Sequence, residues 1–374
     1  MVNSAYIHIP FCKSKCKYCS FVSYNRPEMM IGYVYALLKD ISVNYRGEEL
    51  NTLYFGGGTP SLLPVDFLEK IIKPFIFSKN YEFTLEINPD DRDLDYFKQL
   101  KSLGVNRLSI GSQTFDDKIL KLIGRRHNSE QITEAVNLAK EAGFENISVD
   151  LIYGLPTQTM DCLKKDLEKF LSLDIQHIST YGLKIEEESF WGKCYNRETN
   201  QLVLPDTDQI YLPPDEDEQA DMYEGGVNKI LENAGFYRYE VSNFAKAGFE
   251  SRHNLNYWNN NEYYGFGAAA HGYVDGVRYS NYTSLEEYMA KPHIHECGRT
   301  LSMQEKLEEE IFLGFRKRSG VNVSEIDQKY GIDFGSKYRH ILEKYSDFIE
   351  KTPSGYTFNL KGTLISNIIL SEFI

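Results

Sequence analysis

Apolar residues recur in the first half of the chain in two alternating styles. Short apolar or two-periodic runs at residues 5–9, 52–55, 81–87, 107–110, 147–152 and 178–185 predict strands. Longer stretches at 28–43, 65–75, 94–103, 116–123, 129–142 and 160–173 carry apolar positions three and four apart and predict helices, two of them closed by Gly104 and Gly143. Each strand except the last is followed by helix, the pattern of a parallel sheet with helices outside. Eight such units cannot be counted. The predicted fold class is therefore α/β, an open (β/α)6 partial TIM barrel. Gly56, Glu86, Gln113 and Asp150 fall on or just after its strands, and such barrels carry their chemistry at the C-terminal strand ends.

Past residue 185 the pattern changes. Residues 202–218 are rich in Pro and Asp, contain two similar pieces, Leu204-Pro205-Asp206 and Leu212-Pro213-Pro214-Asp215, and predict an irregular connection. Residues 221–234 return to helical spacing, whereas 236–270, rich in Asn, Tyr and Gly, show no clear period. Helices are predicted over 304–315, 323–330, 337–345 and 363–372. A hairpin is predicted where residues 348–352 and 355–358 flank Pro353-Ser354, which together suggest a small winged-helix-like domain. The organisation expected is a barrel at 1–190, a barrel extension at 191–299 and a C-terminal helical domain at 300–374.

The net charge of −13 argues against a non-specific nucleic-acid binder, because phosphate contacts need basic surface. No basic segment leads into a long apolar one near Met1, and no apolar run reaches spanning length, so the cytoplasm is the expected compartment. The 27 Tyr and 22 Phe suit flat apolar ligands and suit a packed core equally well.

Three of the six cysteines crowd into Pro10-Phe11-Cys12-Lys13-Ser14-Lys15-Cys16-Lys17-Tyr18-Cys19, in the loop after the first strand. Three thiolates are one ligand short of a closed tetrahedral zinc site, and no second CxxC pair supplies the fourth. They also suit redox thiols, or a four-iron cluster with one iron left open to a small molecule. A glycine run, Gly56-Gly57-Gly58-Thr59-Pro60, lets backbone approach a ligand closely, although a glycine-rich turn is often only a turn. In the second half, Arg252-His253-Asn254-Leu255-Asn256-Tyr257-Trp258 puts an imidazole beside two large aromatics, an arrangement equally common in packed cores.

The cysteine segment, with an aromatic before the third cysteine, resembles the CxxxCxxC loop of radical S-adenosylmethionine (SAM) proteins. The resemblance implies a [4Fe–4S] cluster on Cys12, Cys16 and Cys19 whose open iron is chelated by SAM, and one-electron cleavage of SAM to methionine and a 5′-deoxyadenosyl radical. It assigns SAM contacts to Tyr6, Tyr18, Gly57, Gly58, Thr59, Glu86, Gln113, Arg125, Asp150 and Gly182. The runs Tyr6 to Cys12, Glu86-Ile87-Asn88-Pro89, Arg107 to Gln113, Asp150 to Pro156, Lys361-Gly362 and Ser366-Asn367 narrow the likeness to the oxygen-independent coproporphyrinogen III oxidase subgroup. The oxidase itself has a fourth cysteine two positions after the third, where this chain has Phe21, and an N-terminal extension ahead of its first strand, which here is expected to start near residue 5. Both departures match the heme chaperone branch, whose HNxxYW heme-binding motif the 253–258 segment resembles.

That branch implies heme as cargo, with His253, Tyr257 and Trp258 as its contacts and His271 as either a second ligand or a hydrogen-bonding residue. It implies apo-hemoproteins as partners, respiratory ones among them, an electron donor for the cluster, and peripheral membrane contact through the recipient. His293, His295 and Cys297 are near one another but belong to no part of the family pattern. The rival readings are anaerobic coproporphyrinogen III dehydrogenation, against which Phe21 speaks, and a radical SAM enzyme acting on another substrate.

Overall fold

The structure, a computed structural model, describes residues 2–205 and 209–374. Asp206, in the first of the two similar pieces noted above, lies outside the described residues. Six parallel strands, β1 (Ser4–Ile9), β2 (Glu49–Gly57), β3 (Ile76–Ile87), β4 (Arg107–Gln113), β5 (Ile147–Tyr153) and β6 (His177–Gly182), lie side by side in sequence order. The helices α1 (Met30–Asn44), α2 (Val65–Ile72), α3 (Leu94–Ser102), α4 (Asp117–Leu122), α5 (Ser129–Glu141) and α6 (Met160–Ser172) connect them. Helix starts follow their caps: Asp116 accepts from the amides of Lys118 and Ile119, and Asn128 and Gln131 form a reciprocal capping box.

Side chains alternate along each strand, and the two faces differ in kind. Ile7, Phe55, Leu85, Ile110 and Val149 are fully buried among apolar neighbours. The intervening positions, among them Tyr6, Tyr54, Glu86, Arg107 and Asp150, share the opposite, polar face that fills the barrel interior. The open (β/α)6 arrangement is as the apolar pattern predicts, with boundary differences. β3 begins at Ile76, β6 ends at Gly182, and a 3-10 turn at Pro27–Met29 precedes α1.

Larger differences lie in the second half. The segment without a clear period supplies the sheet edges. Tyr264–Phe266 pairs parallel with β1, and Asn243–Ala245 pairs antiparallel with β6, followed by Tyr237–Arg238, giving nine strands. The connection predicted as irregular over 202–218 contributes to a three-stranded meander that starts before it, of Tyr195–Asn196, Gln201–Val203 and Ile210–Tyr211. The helix expected over 221–234 starts earlier, at Glu216, and passes through a π-helical stretch at Met222–Asn228 before ending at Asn233.

At the C-terminus, helices Met303–Gly314 and Val323–Tyr330 pack on a hairpin of Ile349–Lys351 and Gly355–Phe358, which Val321–Asn322 extends to three strands. Here Leu307, Ile311, Phe315, Phe334, Phe358 and Phe373 form a separate buried cluster. Each of the last two predicted helices is split into two short ones, Phe334–Lys337 with Arg339–Lys344 and Leu360–Leu364 with Ser366–Leu370. No helix among the described residues is long and apolar enough to cross a membrane.

One buried carboxylate ties the extension to the barrel. Asp40 on α1 accepts from the Gly267 amide at 3.2 Å, the Tyr288 hydroxyl at 2.8 Å and Asn44 Nδ2 at 2.8 Å. Burial pushes its pKa up to about 6. Asp40→Ala leaves these donors without their partner and is expected to lower unfolding stability by about 1–3 kcal/mol. Chemical denaturation reads the loss, and an unchanged midpoint would contradict the assignment.

Candidate active site at the C-terminal strand ends

A cavity of about 500 Å³ opens at the C-terminal ends of the strands. The cysteine loop forms one wall and is closed at its base, where the Cys12 amide donates to the Tyr24 carbonyl (3.0 Å) and the Tyr24 amide to the Pro10 carbonyl (2.8 Å). His8 on β1 holds the loop's return. Its Nε2 lies 3.0 Å from the Val22 carbonyl, which can only accept, so the proton sits on Nε2, and Nδ1 accepts from the Tyr6 hydroxyl at 3.0 Å. Burial lowers the His8 pKa to about 4, so this ring stays neutral.

Each cysteine sulfur faces a donor. Thr59 Oγ1 donates to Cys12 Sγ and Arg125 Nη1 to Cys16 Sγ, both at 3.5 Å, while the Phe21 amide faces Cys19 as a donor. Asn88 joins the first two. Its Nδ2 donates to Thr59 Oγ1 at 3.1 Å, and its Oδ1 accepts from Arg125 Nη2 at 2.6 Å. Arg125 Nη2 also donates to the Gly111 carbonyl. The result is a continuous chain, Cys12–Thr59–Asn88–Arg125–Cys16, that directs a hydroxyl and a cation at two sulfurs, as anionic thiolates require.

Glycine is obligatory in the adjoining wall. Gly57 has φ +106°, and a Cβ there would run into the His8 ring. A Cβ on Gly58 would stand 2.7 Å from the Phe11 carbonyl oxygen, directly behind the cysteine loop. Gln113, at the end of β4, has φ +70° next to a register break between β4 and β5, and this re-aims the strand end at the cavity.

Two partly buried carboxylates lie on the inner wall. Glu86 accepts from the Tyr54 hydroxyl at 2.8 Å and the Gly57 amide at 3.2 Å, and Asp150 accepts from Ser109 Oγ at 3.3 Å. Burial pushes Glu86 up to about 7 and Asp150 up to about 6. The bonds from Tyr54 and Gly57 pull Glu86 back down, and those from Ser179 and Ser109 do the same for Asp150.

Tyr18, Gly57, Gly58, Thr59, Glu86, Gln113, Arg125, Asp150 and Gly182 thus line one cavity with Cys12, Cys16 and Cys19. Tyr6 does not line it: it sits below, bonded to His8, with its ring 6.1 Å from that of Tyr54. Asn88 and Tyr181 also line the cavity, and Tyr54 hydrogen-bonds Glu86 behind it; sequence reasoning singled out none of the three. The alternation Thr52-Leu53-Tyr54-Phe55 leading into the glycine run was the available signal for Tyr54. Among the described residues, no three or more His, Cys, Asp or Glu converge on one ion. A cubane does not need such convergence, since each of its cysteines binds a different iron. The thiols with their donors, and a glycine wall that any Cβ would block, fit such a cluster and a ligand on it.

The 253–258 motif departs from expectation. It forms the helix Arg252–Trp258, whose first amides, those of Arg252 and His253, both donate at 3.0 Å to the buried Glu82 carboxylate on β3. His253 is only 1% exposed, with Nδ1 2.7 Å from Thr52 Oγ1 and Nε2 2.9 Å from the Tyr257 hydroxyl. In this conformation neither nitrogen is open to an iron. Burial lowers its pKa to about 3. Tyr257 and Trp258 do not share a face, because adjacent helical residues point about 100° apart. Tyr257 lines a groove with Tyr263 and Phe312, and Trp258 lines a different one with Lys317 and Asn322. His271 is exposed, and His295 stacks on Tyr279 and bonds Asn281.

Residues 6–170 match the model of the Radical SAM superfamily, and residues 301–347 that of the HemN C-terminal domain. Fold and cavity together define a radical SAM protein. The heme chaperone HemW of Lactococcus lactis subsp. lactis is 41% identical over 345 residues, covering 90% of this chain and 87% of its own. That of Bacillus subtilis is 38% identical over 390 aligned positions, covering 100% and 99%. Coproporphyrinogen III oxidase (HemN) from Escherichia coli, a solved structure, superposes with a TM-score of 0.84 at 22% identity, covering 100% of this chain and 90% of its own, which shows a shared fold. The chain belongs to the HemW family within the radical SAM superfamily.

SAM carries a sulfonium and an ammonium, and a cation entering the cavity favours the ionised forms of Glu86 and Asp150. Its affinity is expected to fall as pH drops through about 7 and then about 6, by up to about tenfold per unit for each proton taken up. Anaerobic equilibrium dialysis against pH checks this, and a flat profile through that window would contradict it.

Proposed function

We propose that this chain carries heme and hands it to apo-hemoproteins, with the cluster and SAM regulating or assisting the transfer. The observation that carries the reading is the likeness to relatives named heme chaperone HemW over nearly the full length of both chains. Phe21 adds support: it is 68% exposed beside the cavity, an apolar ring where the oxidase subgroup carries a further cysteine. When bound, the cluster supplies one-electron reduction of SAM. Thr59, Asn88 and Arg125 would hold its thiolates charged, and Glu86 and Asp150 would pair with the cationic and hydroxyl groups of SAM.

On this reading heme lies in the groove of about 610 Å³ beside the motif helix, against Tyr257, Tyr263, Leu301, Phe312 and Leu313. Arg278 is engaged by Glu309 at 2.7 Å and Arg299 by Glu305, so the flat apolar walls rather than free cations would hold the macrocycle. His253 then acts behind the groove, through Tyr257. Respiratory hemoproteins are the recipients we favour, with an electron donor for the cluster and membrane contact made through the recipient.

Hemin titration followed by absorbance is expected to show stoichiometric binding, with transfer to apomyoglobin on mixing. Phe312→Ser is expected to weaken binding by about tenfold through loss of one aromatic wall. Anaerobic incubation with SAM, reductant and coproporphyrinogen III is expected to give no protoporphyrinogen. Turnover without hemin binding would overturn the proposal in favour of the dehydrogenase.

A further inference from the structure

We propose that Tyr54 and His253 are positioning residues of the SAM cavity, acting through Glu86, and that they link occupancy of the Tyr257 groove to SAM affinity. The first half stands on cavity geometry alone, and the second rests on the reading that the groove holds heme.

Thr52 and Tyr54 share the inner face of β2, one above the other. Tyr54 gives Glu86 its shorter hydrogen bond (2.8 Å), and the Gly57 amide gives the other (3.2 Å). The Tyr54 ring is held between two others. His253 stacks on it with centroids 5.1 Å apart and planes at 26°, and Tyr6 lies 6.1 Å away. His253 is itself fixed at both nitrogens, by Thr52 and by the Tyr257 hydroxyl, and at its amide by Glu82. Tyr257 in turn packs edge-on against Tyr263 at 4.5 Å, and both line the groove. One series of touching rings therefore runs from the carboxylate of the cavity to the groove wall.

In a close-packed interior, a ligand pressing on Tyr257 cannot shift it without disturbing its bond to His253, and a tilt of His253 moves the face on which Tyr54 rests. The groups that face Glu86 are Tyr6 from β1, Tyr54 from β2, Arg107 from β4, Asp150 from β5, Tyr181 from β6 and Tyr257 from the motif helix. Of these, Tyr54 gives Glu86 a side-chain hydrogen bond. Linkage is reciprocal: if heme changes SAM affinity by a given factor, SAM changes heme affinity by the same factor.

The test uses the full chain with its cluster reconstituted anaerobically and SAM as the probe, first without heme. Tyr54→Phe keeps the ring stack and removes one hydroxyl. It is expected to weaken SAM binding about five- to tenfold. Its acid limb should also move to higher pH, because the lost bond favoured the Glu86 carboxylate, and a merely structural defect would not shift that limb. Tyr257→Phe removes a hydroxyl bonded to His253 from a residue that lines the groove and not the cavity, and it is expected to weaken SAM binding about two- to fivefold. Wild-type affinity and an unmoved pH profile in both variants, at equal cluster content and helicity, would overturn the positioning role. Hemin is then added. A mutual shift of SAM and hemin affinity in wild type that shrinks in Tyr54→Phe supports the linkage, and hemin binding with no shift overturns it. If hemin does not bind at all, the heme reading and the linkage fail, while the SAM affinities of the two variants still decide the positioning role.

Discussion

The site depends on three cysteine sulfurs being held near one another in one loop, each facing a hydrogen-bond donor. The chain from Cys12 through Thr59, Asn88 and Arg125 to Cys16 does this for two of them, with donors from the ends of β2 and β3 and from the segment after α4. Asn88 is the pivot, since its amide gives to Thr59 and takes from Arg125. No short stretch of sequence could bring these groups together. The parallel order of β2, β3 and β4 does so, because it places all their C-terminal ends on one rim.

Beneath that rim the barrel interior is polar, and this sets its electrostatics. Glu86 and Asp150 are largely withdrawn from solvent, with pKa values raised to about 7 and about 6, so an empty cavity disfavours their ionised forms. A cationic ligand would relieve that cost, which favours positive charge beside these two carboxylates. The neutral histidines follow the same logic. His8, His177 and His253 are all held well below the ordinary imidazole range by burial, and each uses its ring nitrogens as hydrogen-bonding struts rather than as charges.

How much of this was legible depends on whether a feature is local. The βα repeats were, because the apolar side of each strand and helix recurs at its own period and Gly104 and Gly143 mark helix ends. The cysteine loop and the glycine run were legible through resemblance to a family, and the structure gathers the residues assigned to cluster and SAM, all but Tyr6, into one cavity. The 236–270 segment was not legible. Its strands are two or three residues long, too short to show a period, and they exist only because β1 and β6 offer open edges. Nor was the placement of His253. The same six letters suit an exposed ligand or a buried strut, and what decides between them is Glu82 and Thr52, which lie 171 and 201 residues earlier in the chain. Tyr257 and Trp258 read as one aromatic surface in a line of text, yet a helix sends them to separate grooves.

The central claim is that the cavity holds a cluster with an iron open to SAM. Electron paramagnetic resonance of the reconstituted and reduced full chain, recorded with and without SAM, tests it most directly. The account predicts the signal of a reduced four-iron cluster whose line shape changes when SAM is added. A reconstituted cluster whose signal is indifferent to SAM, or iron bound equally well after Cys16→Ala, would contradict it.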